Sequence, residues 1–177
     1  MASFADRMIR AAKLDVSLYE EVEADKSAMG QATGVVVLSS VAAGVGVIGQ
    51  MGIGGIVMGT IAALIGWYIW AFLTYQIGTK LLPEPQTRAD MGELLRTIGF
   101  STSPGLIRVL GIVPPLAGIV FLVASIWMLV AMVIAVRQAL DYTGTWRAVG
   151  VCAIGWIVYV LIVGFLVSIL GGGAPPA

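Results

Sequence analysis

The sequence predicts an all-α membrane protein: a polytopic bundle of five transmembrane helices preceded by an N-terminal amphipathic helix. Three observations carry this. Hydrophobic residues make up 59% of the 177 and charged residues only 11%, against roughly 25% in an ordinary soluble domain. Mean hydropathy is +0.97. The few charges are also bunched, leaving long uncharged stretches of the length that a hydrocarbon core of about 30 Å requires. Ten basic and ten acidic residues give no net charge. That composition excludes a soluble globular domain, a disordered tail and a nucleic-acid-binding domain.

The elements follow in order. Residues 3–14 place Phe4, Met8, Ile9 and Ala12 on one helical face and Asp6, Arg7, Arg10 and Lys13 on the other. Ser3 with Asp6 forms a capping box. The basic face is expected to meet anionic headgroups or to lie on the bundle. A second cap is read at Ser17 with Glu20. Residues 18–27 then make an acidic stretch, read as a solvated face, in which Glu20, Glu21, Glu23 and Asp25 match no calcium loop. No charge occurs between Lys26 and Lys80, which leaves room for two spans, near 28–48 and 56–77. The turn between them is expected in the glycine cluster 49–55. The charge-free stretches after Arg108 and after Arg147 hold spans near 116–136 and 148–170.

The remaining span is short. Between Arg96 and Arg108 the chain is uncharged but polar, with Ser101, Thr102 and Ser103 ahead of Pro104 and Gly105. A continuous helix from Arg96 to Arg108 reaches only about 18 Å. Outward snorkelling by the two arginines extends it. The segment is either a short span broken at Pro104 and Gly105 or a re-entrant loop, and protein must surround it. The positive-inside rule favours five spans. With the N-terminus in the cytoplasm, Arg108 alone among the basic residues faces out. With four spans, Arg137 and Arg147 join the outside and Arg108 leaves it. The expected organisation is a cytoplasmic lead over 1–27, a membrane domain over 28–170 and a flexible tail over 171–177. The N-terminus is expected inside and the C-terminus outside, with no cleavable signal peptide. Pairs such as Gly30 and Gly34, Ala42 and Gly46, Gly55 and Gly59, and Ala62 and Gly66 have the spacing that lets helix backbones approach in lipid. They are read as packing within the chain, with a homo-oligomer as the alternative.

Catalytic chemistry is poorly supplied. There is no histidine and one cysteine, Cys152, so imidazole-based triads, thiolate clusters and most zinc sites are excluded. The spans lack the intramembrane carboxylates of proton-coupled transporters and aspartyl proteases. No cofactor and no metal is expected. The best candidate for a functional cluster joins the loops 78–100 and 135–148 at the cytoplasmic boundary, where Glu93, Arg96, Arg137, Asp141 and Arg147 are expected to meet. Asp141 lies four residues after Arg137, so it is expected to pair with Arg137, Arg147 or Arg96. The cluster is read as an ion-pair lock, or as a docking surface for a protein or a lipid headgroup.

Residues 18–32 (LYEEVEADKSAMGQA), 94–111 (LLRTIGFSTSPGLIRVLG) and 127–151 (WMLVAMVIAVRQALDYTGTWRAVGV) resemble the Yip domain family of Ypt/Rab-interacting membrane proteins, in its prokaryotic branch. The resemblance implies a five-span layout with a cytosolic N-terminus. It also implies oligomers and protein partners, since eukaryotic members bind prenylated Rab-type GTPases and assist vesicle formation and membrane shaping. One element departs. The Rab-binding branch carries Asp-Leu-Tyr-Gly-Pro in its lead, whereas residues 17–21 here read SLYEE. Rab binding is therefore not carried over.

The functional expectation is a non-enzymatic integral membrane protein of the prokaryotic cytoplasmic membrane, an organiser or accessory subunit that binds membrane lipids or other membrane proteins. A small transporter or channel with its path along Ser101, Thr102, Ser103 and Pro104 is the alternative. An enzyme acting on lipid headgroups through the charged cluster is the third reading.

Overall fold

Four helices are long and apolar enough to cross a membrane, in a computed structural model that describes residues 3–171. The described residues form helices and connecting turns, with no strand among them. Two short helices come first, α1 (Phe4–Ala12) and α2 (Val16–Ala24). They are followed by α3 (Met29–Gly46), α4 (Ile48–Gln76), α5 (Met91–Phe100), a 3-10 segment (Ser103–Ile112), α6 (Pro114–Ala139) and α7 (Thr145–Gly171). The four long helices are α3, α4, α6 and α7. Their apolar windows are mostly bare: only 11% of that in Ile48–Leu81 is buried. Ile53, Met58, Ile119, Leu122 and Leu161 all face outward, as lipid-facing positions do. The tail expected over 171–177 lies, from residue 172 on, outside the described residues.

Local chemistry sets the boundaries. Ser3 Oγ accepts from the Asp6 amide at 3.1 Å and starts α1. The cap of α2 is Asp15, whose Oδ1 accepts from the Ser17 amide at 3.0 Å. The expected cap at Ser17 is thus corrected, because Asp15 precedes it and takes the first free amide. Asp90 and Glu93 form a reciprocal capping box at the start of α5, at 2.8 and 2.7 Å. Pro114 and Pro115 open α6, where an amide hydrogen is not needed. The α3–α4 turn falls at Val47, just ahead of the glycine cluster. Within the cluster Gly52, at φ 62°, breaks the first turn of α4 from the rest.

The third segment, α5 with the 3-10 stretch, runs beside α3 from end to end. Met29 lies near Gly92, Ala32 near Gly99, Ser39 against Gly105, and Gly46 against Arg108 and Gly111. A Cβ on Gly46 would collide with the Arg108 carbonyl, and one on Gly105 with Ser39 Oγ and Met128 Sδ. Backbone therefore touches backbone along this seam. The helix breaks at Ser101 and Thr102, ahead of Pro104. Beyond the break the rise per residue grows from about 1.5 to about 2.0 Å, so a chain from Met91 to Ile112 reaches at most about 35 Å. Of the small-residue pairs, Gly34 meets Phe4 and Gly46 meets the seam, while a Cβ on Gly30, Gly59 or Gly66 would meet nothing within 4 Å.

The main core sits at the end that carries α2 and α5. Leu18, Tyr19 and Val22 pack with Leu94, Ile98, Phe100, Val136, Leu140 and Val151. Trp67 Nε1 donates to the Leu95 carbonyl at 3.0 Å, and Trp127 Nε1 to the Ala12 carbonyl at 2.8 Å. Each indole seats a neighbouring segment on a long helix.

Candidate functional site

The acidic stretch after α1 is only in part a solvated face: Glu20 and Lys26 are exposed, but Glu21 and Asp25 are held by arginines. Arg7 is buried and donates to Glu21 at 2.9 Å, Asp25 at 2.8 Å and Gln31 at 3.0 Å. Arg10 donates to Asp15 at 2.8 Å and to Glu21 at 2.5 Å. Burial pulls the Arg7 pKa down, but Asp25 and Glu21 outweigh it and hold the guanidinium above its ordinary value. The Arg10 guanidinium holds Asp15 and Glu21 below the usual carboxylate range, and Ser27 and then Arg7 do so for Asp25. The basic face of α1 therefore turns onto α2. Its expected encounter with lipid headgroups is corrected: two arginines close to three carboxylates gain more there than in solvated headgroups.

Arg96 is 4% exposed. Its Nε donates to the Val22 carbonyl at 2.8 Å and its Nη2 to the Glu23 carbonyl. These are the carbonyls left free where α2 ends, so α5 closes the C-terminus of α2 with a cation.

The expected ion pairs of Asp141 are absent among the described residues. Arg137 instead wraps its own turn, with Nε 3.3 Å from the Tyr142 carbonyl and Nη2 3.3 Å from that of Thr143. Arg147 pairs with Glu84 at 3.2 Å and donates to the Pro83 carbonyl at 2.7 Å. Glu84 also accepts from the Thr143 amide and hydroxyl, which helps hold it below the usual range. The reason is local. Asp141 has φ 53°, past the end of α6, and its amide bonds the Gln138 carbonyl. The rule for residues four apart requires the helix to continue, and here it has stopped in a left-handed C-terminal turn.

What Glu93, Arg137 and Asp141 do share is a cleft of about 750 Å³, completed by Glu20, Glu23 and Tyr142. Burial first, then the charges of Asp141, Glu93 and Glu20, pushes the Glu23 carboxyl up to about 7. Gln138 donates to Glu20 at 2.9 Å and ties one rim to the other. Tyr142 Oη lies 2.8 Å from the Leu82 carbonyl and 3.1 Å from that of Gly78. Its burial pushes it up to about 12. Among the described residues no group of three carboxylates or thiolates is arranged to hold a metal ion. Arg96 and Arg147 lie outside the cleft lining. Glu20, Glu23 and Gln86 were missed by sequence reasoning; the only signal was the density of acids in the lead.

In the broken segment Ser101 donates to the Ile98 carbonyl at 2.7 Å, Thr102 to Gly99 at 2.7 Å and Ser103 to Phe100 at 2.8 Å. Each hydroxyl is spent on the turn before it. Pro104 is buried beside them.

The chain matches the family model described as the Yip1 domain over residues 24–167. It belongs to the Yip1 domain family. The match takes in α3, α4 and α6, and α7 as far as residue 167, with the seam and both loops around the cleft. This Yip1 domain protein is thus an all-helical membrane protein with four helices able to span. Searches of curated proteins and of solved structures found no match. Within the Yip1 match, Glu93, Arg96, Arg137, Asp141 and Arg147 all fall in the matched range, and Arg7 and Arg10 precede it.

Proposed function

We propose that this protein is a non-enzymatic membrane organiser or accessory subunit whose α2–α5 end faces the cytoplasm and docks a basic segment of another membrane protein. One observation carries the reading. The cleft at that end gathers Glu20, Glu23, Glu93 and Asp141 around a single cation, Arg137. Such an excess of acid favours a cationic partner and disfavours an anionic headgroup. The lack of histidine and, among the described residues, of converging metal ligands weighs against an enzyme. Membership of a family of membrane proteins supports the location.

The same reading takes the third segment as a fifth crossing, short and broken at Pro104. Support comes from its course beside α3 over the whole of that helix. The lead over 1–27, whose amphipathic first helix packs its arginines against α2, then shares the cytoplasmic side with both charged loops. The membrane domain is 28–170. The C-terminus emerges outside, and self-association in the membrane is compatible with the bare face of Gly59.

The test is affinity capture of the full chain from native membranes in mild detergent, with Glu20→Lys and Asp141→Asn as variants. Both positions lie at the rim, so melting temperature should hold. Loss of one partner from both variants, and recovery of that partner at low salt, supports docking. Identical captures from wild type and variants would sink it.

A further inference from the structure

A second cleft, of about 250 Å³, lies halfway along the bundle. Its walls come from α3, α4, the third segment, α6 and α7. Its wall is mostly apolar, with Val36, Ala63 and Met132, and carries the hydroxyls of Ser39 and Thr102; Arg108 and Trp70 enter it as hydrogen-bond donors. Arg108 was expected to snorkel outward. Its backbone does sit at the far end, against Gly46. Its side chain turns the other way, with Nη2 3.2 Å from Ser125 Oγ and the guanidinium 5.6 Å from the Phe121 ring centre. Ser125 lies about eleven residues into α6, or about 16 Å from that helix's start. That is mid-depth in a core of about 30 Å.

The guanidinium has no counter-charge there. α3, α4 and the middle of α6 and α7 contain no acidic residue, and Arg108 forms no ion pair among the described residues. Its Nε is buried without an acceptor, and so is the indole Nε1 of Trp70 on the same cleft. Both orphaned atoms are donors. Water can satisfy a donor, but it leaves the positive charge uncompensated in a low-dielectric setting. The missing component is an acceptor with negative charge, and the surrounding wall fits a hydrocarbon tail.

We propose that this cleft binds an oxyanion carried on an acyl chain, a lipid phosphate or a fatty carboxylate. Arg108 is its cation and Trp70 a second donor. The site is separate from the acidic cleft and opposite to it in charge preference.

The experiment is native mass spectrometry of the delipidated full chain in detergent, with four probes: dioctanoyl phosphatidylglycerol, laurate, inorganic phosphate and dioctanoylglycerol. The expected result is one-to-one binding of one or both amphiphilic anions, at least about tenfold tighter than the uncharged diglyceride. Phosphatidylglycerol ahead of laurate assigns the phosphate, and the reverse order assigns the carboxylate. Arg108→Gln should weaken that binding at least about tenfold, as loss of a charged donor does. Trp70→Phe keeps the ring but loses the donor, and should weaken it several-fold. The proposal is overturned by equal binding of the diglyceride, by inorganic phosphate binding as tightly as the amphiphiles, or by no binding at all. Undiminished affinity in Arg108→Gln overturns it too. If that variant fails to fold, undiminished affinity in Trp70→Phe decides against the proposal.

Discussion

Arg96 Nε donates to the Val22 carbonyl across 74 positions of sequence, at 2.8 Å. This bond and the one to the Glu23 carbonyl fasten the lead to the third segment. Replacing Arg96 by Met keeps the length of the stem but strands two carbonyls. The expected cost is about 2–3 kcal/mol. Thermal melting in detergent reads the loss. Limited proteolysis should cut the lead before residue 29 faster than in wild type. An unchanged melt with an uncut lead would mean that the apolar contacts of Leu18, Tyr19 and Val22 suffice.

The acidic cleft gives stability a pH dependence. The folded Glu23 carboxyl sits at about 7, above its ordinary 4.5. Its folded form therefore holds the proton more tightly than the unfolded chain does. The resulting stability is full below the unfolded value and is lost as pH rises through about 7. Glu21, Asp15 and Asp25 are shifted the other way. Their contribution is full above their ordinary values and is lost as pH falls through their folded ones. Melting temperature should fall between about pH 5 and pH 8 in wild type, and Glu23→Gln should flatten that fall. A slope that survives in Glu23→Gln assigns the titration elsewhere.

Asp141 is tested by backbone, not by charge. With φ at 53° and no ion pair, Asp141→Asn should leave stability within about 0.5 kcal/mol. Asp141→Gly should match or exceed wild type, since glycine adopts this conformation freely. Asp141→Val should cost about 1–2 kcal/mol. A large loss in Asp141→Asn would restore the ion-pair lock read from the sequence.

Topology is read by cysteine labelling in a Cys152→Ala background. Gln50 and Gln86 are both exposed, at opposite ends of the long helix that begins at Ile48. Single cysteines there should react with an impermeant reagent from opposite sides of a sealed vesicle. Cysteine at Val113, which ends the third segment, should label with position 50. Labelling of 113 together with 86 would make the third segment re-entrant.

The long helices were legible because charge is costly in lipid, so the gaps in charge mark them. The third segment was half legible. The proline and the hydroxyls announced a break, but counting residues between Arg96 and Arg108 at the α-helical rise understated its reach. Its packing partner α3 is seen only once Gly46 and Gly105 are placed. Asp141 was misread because a rule for helix interiors was applied across a helix end, and nothing in RQALDYTG fixes where the left-handed residue falls. The pairing of Arg7 with Glu21 is illegible for a different reason. It depends on the fold-back at Leu14, with φ 62°, and leucine is a poor advertisement for such a turn. Arg108 shows the same limit: depth can be counted along a chain, but the direction of a side chain cannot.

The glycine seam has a consequence for how the protein is made. Each long apolar helix can enter a bilayer by its own hydrophobicity. The third segment cannot, because it carries two arginines, a glutamate and four hydroxyls, and its place is defined by α3 on one side and α6 on the other. α3 is already synthesised when the third segment emerges, but α6 is not. The segment must therefore wait beside an unfinished wall, its guanidinium without Phe121 and Ser125, until some two dozen further residues have left the ribosome. During that interval the nascent chain exposes its most polar stretch to lipid or to the insertion machinery, and substitutions at Gly46 or Gly105 would lengthen it. Quality control of newly made chains, not the melting of finished ones, is where a bulky residue at the seam should be felt first.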